Sequence, residues 1–208
     1  RNSVKKFALD NNLVFFNPRE KSGFLRTLMI RNSNQGEFMV LIQFYRENKE
    51  QREAILNHLK DKFHLTALLY CINSKVNDTL YDQEIITYDG SEFITEVMEG
   101  LKFRINAKSF FQTNAEQAYE LYKITREFAG LKGQELVYDL YTGTGTIALF
   151  IAGKCKKVVG VESVPEAVAV ARENAEINGI KNTFFEVGDM RKVFNVDFIN
   201  RHGVADLV

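Results

Sequence analysis

One stretch limits the folds open to this chain more than any other: Val137-Tyr-Asp-Leu-Tyr-Thr-Gly-Thr-Gly-Thr-Ile-Ala-Leu-Phe150. It begins like a buried strand, turns through two glycines and continues as a helix. Gly143 and Gly145 let the backbone turn sharply and approach a ligand with no Cβ in the way. The sequence that follows keeps the same rhythm. Lys157–Val161 reads as a second strand, Thr183–Val187 as a third and Ala205–Val208 as the start of a fourth. Between them, Ser163-Val-Pro-Glu166 has the form of a capping box with Pro165 in the first helical turn, and Gly179 suits the end of that helix. Upstream, Thr113-Asn-Ala-Glu116 is a second capping box, opening a helix predicted to run to Ala129 and stop at Gly130. Strands and helices alternating at this spacing predict βαβ units and a parallel, Rossmann-like α/β sheet.

Residues 1–104 have a different pattern, mainly strands with one clear helix. Leu25–Arg31 and Phe38–Tyr45 read as a hairpin, and Glu50–Lys62 as an amphipathic helix with Ile55, Leu56 and Leu59 on its apolar stripe. Leu65–Ile72 reads as a strand, residues 73–82 as a loop, and Phe93–Met98 with Leu101–Ile105 as a hairpin turning at Glu99-Gly100. His58 reads as a packing or surface histidine and Cys71 as a small buried hydrophobe. The expected organisation is an α+β domain over 1–104 followed by the Rossmann-like domain over 105–208.

Lys+Arg and Asp+Glu are both 27, so no global basic field advertises nucleic acid. The small groups Lys5-Lys6, Lys154/Lys156/Lys157 and Arg191-Lys192 read as solvated surface. Two cysteines are too few for a disulfide framework or a self-contained metal site and fit a reduced, cytoplasmic setting. No apolar run is long enough to span a bilayer. The chain starts at Arg1 and stops at Val208 inside "GVADLV", which reads as a strand cut at its opening. A fragment of a longer protein is therefore expected, with the edge of that last strand exposed or paired with another chain.

In a doubly wound sheet, ligands sit beyond the carboxyl ends of the strands. Three such ends carry polar or acidic groups here: Asp139–Thr146, Glu162 and Asp189. Glu162 lies 19 residues after Gly143, close to the spacing at which a carboxylate reaches ribose hydroxyls. Gly143-Thr-Gly145-Thr-Ile-Ala148 also fits a permissive dinucleotide fingerprint, which leaves a dinucleotide cofactor, NAD, as a rival. Asp139 argues the other way. Its negative charge beside the turn disfavours a pyrophosphate and suits the ammonium of an amino-acid moiety, pointing to S-adenosyl-L-methionine.

"DLYTGTGTIAL", "VVGVE" and "VGD" resemble the motifs of class I S-adenosylmethionine-dependent methyltransferases. "INAKSFFQTNAEQAYELY" (105–122) narrows the resemblance to the RNA uracil-5-methyltransferase family, and the preceding half resembles that family's central domain. The resemblance implies that Gln112 contacts the methionine part of the cofactor. It implies that Tyr141, Gly143, Gly145 and Thr146 line the pocket, that Glu162 binds the ribose and that Asp189 sits near the adenine. Thr142 and Thr146 stand where family members often have Cys and Asn. The implied substrate is a uridine of ribosomal or transfer RNA.

The family's reaction needs a cysteine thiolate added to C6 of the base and a general base for the C5 proton. Cys155 has three lysines nearby that could lower its pKa, but it precedes a strand and so sits at the edge of the sheet opposite the ligand. Cys71 is in the other domain. In the family the nucleophile and base follow the fourth strand, so the resemblance implies that they lie beyond Val208, which leaves residues 1–208 with most of the cofactor site and no catalytic machinery. Two other readings stay open: a class I methyltransferase acting on a base nitrogen or a small molecule, and a non-catalytic RNA-binding or assembly module.

Overall fold

A computed structural model describes residues 1–208. The chain divides into two compact units: Arg1–Ile94 with Asn106–Lys108, and Thr95–Ile105 with Ser109–Val208. The hairpin assigned to the first domain by sequence therefore falls largely in the second unit.

The first unit contains α1 (Asn2–Asp10), β1 (Leu25–Asn32), β2 (Phe38–Phe44), α2 (Lys49–Lys62), β3 (Ala67–Ile72) and β4 (Ile86–Gly90). The sheet order is β1-β2-β3-β4. β1–β2 and β3–β4 pair antiparallel, while β2 and β3 pair parallel across α2. β2 is central and buries every residue after Phe38. The apolar stripe of α2, Ile55, Leu56 and Leu59, is buried as the periodicity predicts, and the Asn48 side chain caps the helix by accepting the Gln51 N–H. His58 is a packing residue: its Nε2 lies 2.9 Å from Ser3 Oγ, and its ring stacks on Phe7. Two elements, α1 and β4, are additions to the sequence reading. α1 has no side-chain cap and buries only Val4 and Ala8, so its local signal is weak. β4 is a short outer strand with no buried residue.

β5 (Phe93–Met98) and β6 (Leu101–Asn106) form the two-stranded hairpin. Glu99 (φ 48°) and Gly100 (φ 83°) supply the two left-handed residues its turn requires. The second unit continues with α3 (Ala115–Ala129), β7 (Leu136–Leu140), α4 (Thr146–Ala152), β8 (Lys157–Glu162), α5 (Pro165–Ile177) and β9 (Thr183–Val187). Two short helices close it, α6 (Met190–Val193) and α7 (Val196–His202). β7, β8 and β9 are parallel and adjacent in that order. After α7 the chain returns to the other side of β7, where Leu207 forms a parallel bridge with Val137 and its carbonyl accepts the Tyr138 N–H. Ala205–Val208 thus makes a single bridge here rather than a strand.

Strand alternation sends side chains to two faces. Val137, Val158 and Phe185 join the core beneath α3, α4, α5 and the hairpin. Tyr138, Val159 and Val161 pack with Phe198 of α7 on the opposite face. Both capping boxes are corrected. Asn114, not Thr113, caps α3 by accepting the Gln117 N–H, because it is the last extended residue before the helix. Val164 occupies the N-cap of α5 without a side-chain bond, and the Ser163 hydroxyl turns to Glu162 instead.

Candidate cofactor site

The reversal of strand order across the sheet lies at β7, with β8 on one side and Leu207 on the other. In a parallel sheet this places the crevice beyond the carboxyl end of β7. The Thr142 N–H still donates to the Val161 carbonyl, and the Gly188 N–H donates to the Glu162 carbonyl. The ends of β7, β8 and β9 are thereby held side by side, with Tyr141, Glu162 and Asp189 along one edge.

The turn after β7 has three left-handed residues, Tyr141 (φ 64°), Gly143 (φ 56°) and Gly145 (φ 77°). Its two glycines have different reasons to be glycine. A Cβ on Gly143 would meet nothing within 4 Å, so that side of the turn is open. A Cβ on Gly145 would lie 2.9 Å from the Phe185 ring and 3.0 Å from Ala171, so Gly145 lets α4 pack against β9 and α5. Gly160 serves the same packing: a Cβ there would come within 2.6 Å of Phe185.

Gly145 is the N-cap of α4 and has no side chain to do the capping. Asp139 does it from the strand. Its Oδ2 accepts the Ala148 N–H at 3.1 Å and the Thr142 hydroxyl at 2.7 Å. Burial pushes the Asp139 carboxyl above its usual range, more than those two donors pull it down. Glu162 is half-buried at the end of β8. Its Oε2 accepts the Gly143 N–H at 3.2 Å, and its Oε1 accepts the Val164 N–H and the Ser163 hydroxyl, each at 3.0 Å. The partner that a carboxylate at a strand end requires is thus found within the turn. The carboxylate is fixed in orientation, and one lone pair of Oε2 remains for a ligand.

The other expected site residues divide by exposure. Tyr141 is 73% exposed, and Gln112 is exposed in the segment leading to α3. Asp189 is exposed and caps α6 through the Arg191 N–H at 3.0 Å. Thr146 is buried, with its hydroxyl 3.3 Å from that of Thr144. Asn174 of α5 was missed by sequence reasoning: fully buried, it donates to the Thr144 carbonyl. A signal exists in the Asn174/Asn178 pair, two amides at helical spacing on the side that packs inward. Neither cysteine is activated. Burial pushes the Cys71 thiol up to about 11, and burial first, then Glu135, raises that of Cys155, against the effect expected of its lysine neighbours.

Residues 131–208 match a family model described as a methyltransferase domain. A protein of Porphyromonas gingivalis named as an uncharacterized RNA methyltransferase is 56% identical over 195 residues, 93% of this chain and 42% of that protein. One of the same description from Bacteroides thetaiotaomicron is 48% identical over 212 residues, 100% of this chain and 47% of that protein. The chain spans about half the length of these curated relatives. Among solved structures, the tRNA (uracil-54, C5)-methyltransferase of Pyrococcus abyssi in complex with S-adenosyl-L-homocysteine superposes with a TM-score of 0.77. It is 28% identical, and the match covers 92% of this chain and 46% of that one. The α/β fold of this chain is the one found in class I methyltransferases.

Proposed function

We propose that the second unit binds S-adenosyl-L-methionine and that the protein methylates C5 of uridine in RNA. The observation that carries the cofactor choice is the Asp139–Ala148 hydrogen bond. In dinucleotide-binding folds the pyrophosphate lies at the amino end of the first helix, held by its free N–H groups and dipole. Here a carboxylate caps that helix end. A second anion would meet repulsion there, whereas the ammonium of an amino acid would be attracted. The open side of Gly143 and the fixed carboxylate of Glu162 fit the same ligand, with Glu162 accepting from the ribose hydroxyls. Tyr141, Gln112 and Asp189 are exposed and free to meet its remaining parts, with Gln112 at the methionine end and Asp189 near the adenine. When bound, this cofactor supplies a methyl group on a positively charged sulfur.

The RNA substrate is supported by the names of the relatives and by the likeness to a tRNA uracil-54 C5-methyltransferase. In this reading neither Cys71 nor Cys155 is the nucleophile, since both are buried and their thiols are raised in pKa.

Two measurements test the reading. Calorimetric titration of the 208-residue chain should give saturable S-adenosyl-L-homocysteine binding and none with NADH; the reverse would overturn the cofactor assignment. Mass spectrometry of ribosomal and transfer RNA from a strain lacking the gene should show loss of 5-methyluridine. Intact 5-methyluridine with loss of an N-methylated base would overturn the uridine assignment.

A further inference from the structure

We propose that Asn174 is a positioning residue for the glycine turn, tying its shape to the β5–β6 hairpin. The proposal rests on the reading that this turn holds the cofactor. Asn174 lies on α5 with 0% of its surface exposed. A buried amide must find partners for its oxygen and its NH2 group, so where it bonds is decided by the fold. Its Oδ1 accepts the Arg104 N–H of β6 at 2.8 Å, and its Nδ2 donates to the Thr144 carbonyl at 3.3 Å.

That carbonyl belongs to the peptide joining Thr144 to Gly145. The other end of the same peptide is also held, because the Gly145 N–H donates to the Thr142 carbonyl at 2.9 Å. With both ends anchored, the peptide plane cannot flip, and the left-handed conformation at Gly145 is set before any ligand arrives. A turn already ordered spares the ligand the entropy of ordering it.

Asn178, one helical turn later, provides an internal comparison. Its Oδ1 accepts the Lys102 N–H at 2.8 Å and its Nδ2 donates to the Lys102 carbonyl at 2.7 Å. The two asparagines together cover the edge of β6 much as another strand would. Only Asn174 also reaches the turn. Asn178 is less buried and also donates to the Asn174 carbonyl at 2.7 Å, so a purely structural role would separate the two in Tm alone, whereas a positioning role separates them in the turn.

The test compares Asn174→Asp with Asn178→Ala. The first keeps an acceptor for the Arg104 N–H but sets an oxygen against the Thr144 carbonyl. Asn174→Ala, which removes both bonds and adds no charge, stands in if Asn174→Asp does not fold. In ligand-free protein, amide hydrogen exchange over residues 142–148 should speed up in the Asn174 variant and stay unchanged in Asn178→Ala. The dissociation constant for S-adenosyl-L-homocysteine should rise about tenfold in the former only, although both variants lower Tm. Burial should raise the pKa of the carboxyl introduced in Asn174→Asp, so the weakening should ease as pH falls and that carboxyl regains an O–H donor. Equal effects of the two variants on exchange and affinity, or no effect of either, would overturn the proposal. If the wild-type chain binds no S-adenosyl-L-homocysteine, the cofactor reading falls, while the exchange measurement still decides the role of Asn174.

Discussion

Gly143 and Gly145 share a left-handed backbone, yet replacing them should have different consequences. A non-glycine residue in that conformation costs about 1 kcal/mol. At Gly143 nothing else is added, so Gly143→Ala should lower stability by about that amount while its methyl group intrudes on the open side of the turn. Gly145→Ala adds a clash with Phe185 and Ala171, and about 2–4 kcal/mol of destabilisation is expected. Chemical denaturation and S-adenosyl-L-homocysteine titration on both variants check this: affinity should fall most at Gly143, stability most at Gly145. Asp139 offers a second contrast. Its raised carboxyl pKa means that the folded state holds the proton more tightly than the unfolded one. The stability this contributes is complete below the ordinary value of 3.8 and is lost as pH rises through the folded-state value. Asp139→Asn can keep both hydrogen bonds through its amide oxygen. It should raise Tm at pH 7, with the gap closing below about pH 4. It should also weaken S-adenosyl-L-homocysteine binding about tenfold by removing the charge. Of these positions, the two glycines, Glu162 and Asp139 were legible in sequence as strand ends meeting a turn, though not the capping role of Asp139. The division of labour between the glycines was not, because what a Cβ would touch depends on Phe185 and Ala171, which are distant in the chain.

Among the elements, the β5–β6 hairpin is fastened to α3 by one group of side chains. Glu99 at the hairpin turn receives a two-pronged bond from Arg126, at 2.6 and 2.8 Å, and the Tyr119 hydroxyl at 3.0 Å. Arg126 also lies over the Phe150 ring at 4.4 Å, which links the group to α4. Arg126 foremost, then Tyr119, holds the Glu99 carboxyl down at about 2 against its ordinary 4.5. A depressed carboxyl contributes stability above its ordinary value and loses it as pH falls toward the folded-state value. Glu99→Gln should therefore lower Tm at pH 7, and the difference from wild type should vanish between about pH 4.5 and 2. Because the side chain is 34% exposed, the effect should stay below about 1 kcal/mol. Thermal melts across that pH range check both sign and size. Elements with strong periodicity were readable in advance: α2, the β5–β6 hairpin and the β7-α4-β8-α5-β9 series. Those stabilised chiefly by their neighbours were not. α7 has a single fully buried residue, Phe198, whose packing against Tyr138 fixes the helix. Helix starts were off by a residue because Thr113 and Asn114 are both competent caps, and only the backbone path chooses between them.

For the molecule as a whole, the sequence by itself determined the parallel βαβ architecture of the second half and the α+β character of the first. Both follow from local periodicity and turn chemistry, which act over a few residues. It also determined which strand ends carry charge, and with them the expected class of ligand. The tertiary structure alone decided that the units exchange chain near residues 94 and 105, giving the hairpin largely to the second. It alone decided that Leu207 returns to the far side of β7, that Asp139 caps α4, and that Asn174 reaches from α5 to both Arg104 and Thr144. Each of these joins groups 9 to 70 residues apart. The reason is physical: a buried polar atom must be satisfied by whatever the fold brings within about 3 Å, and that neighbour is set by packing rather than by local sequence.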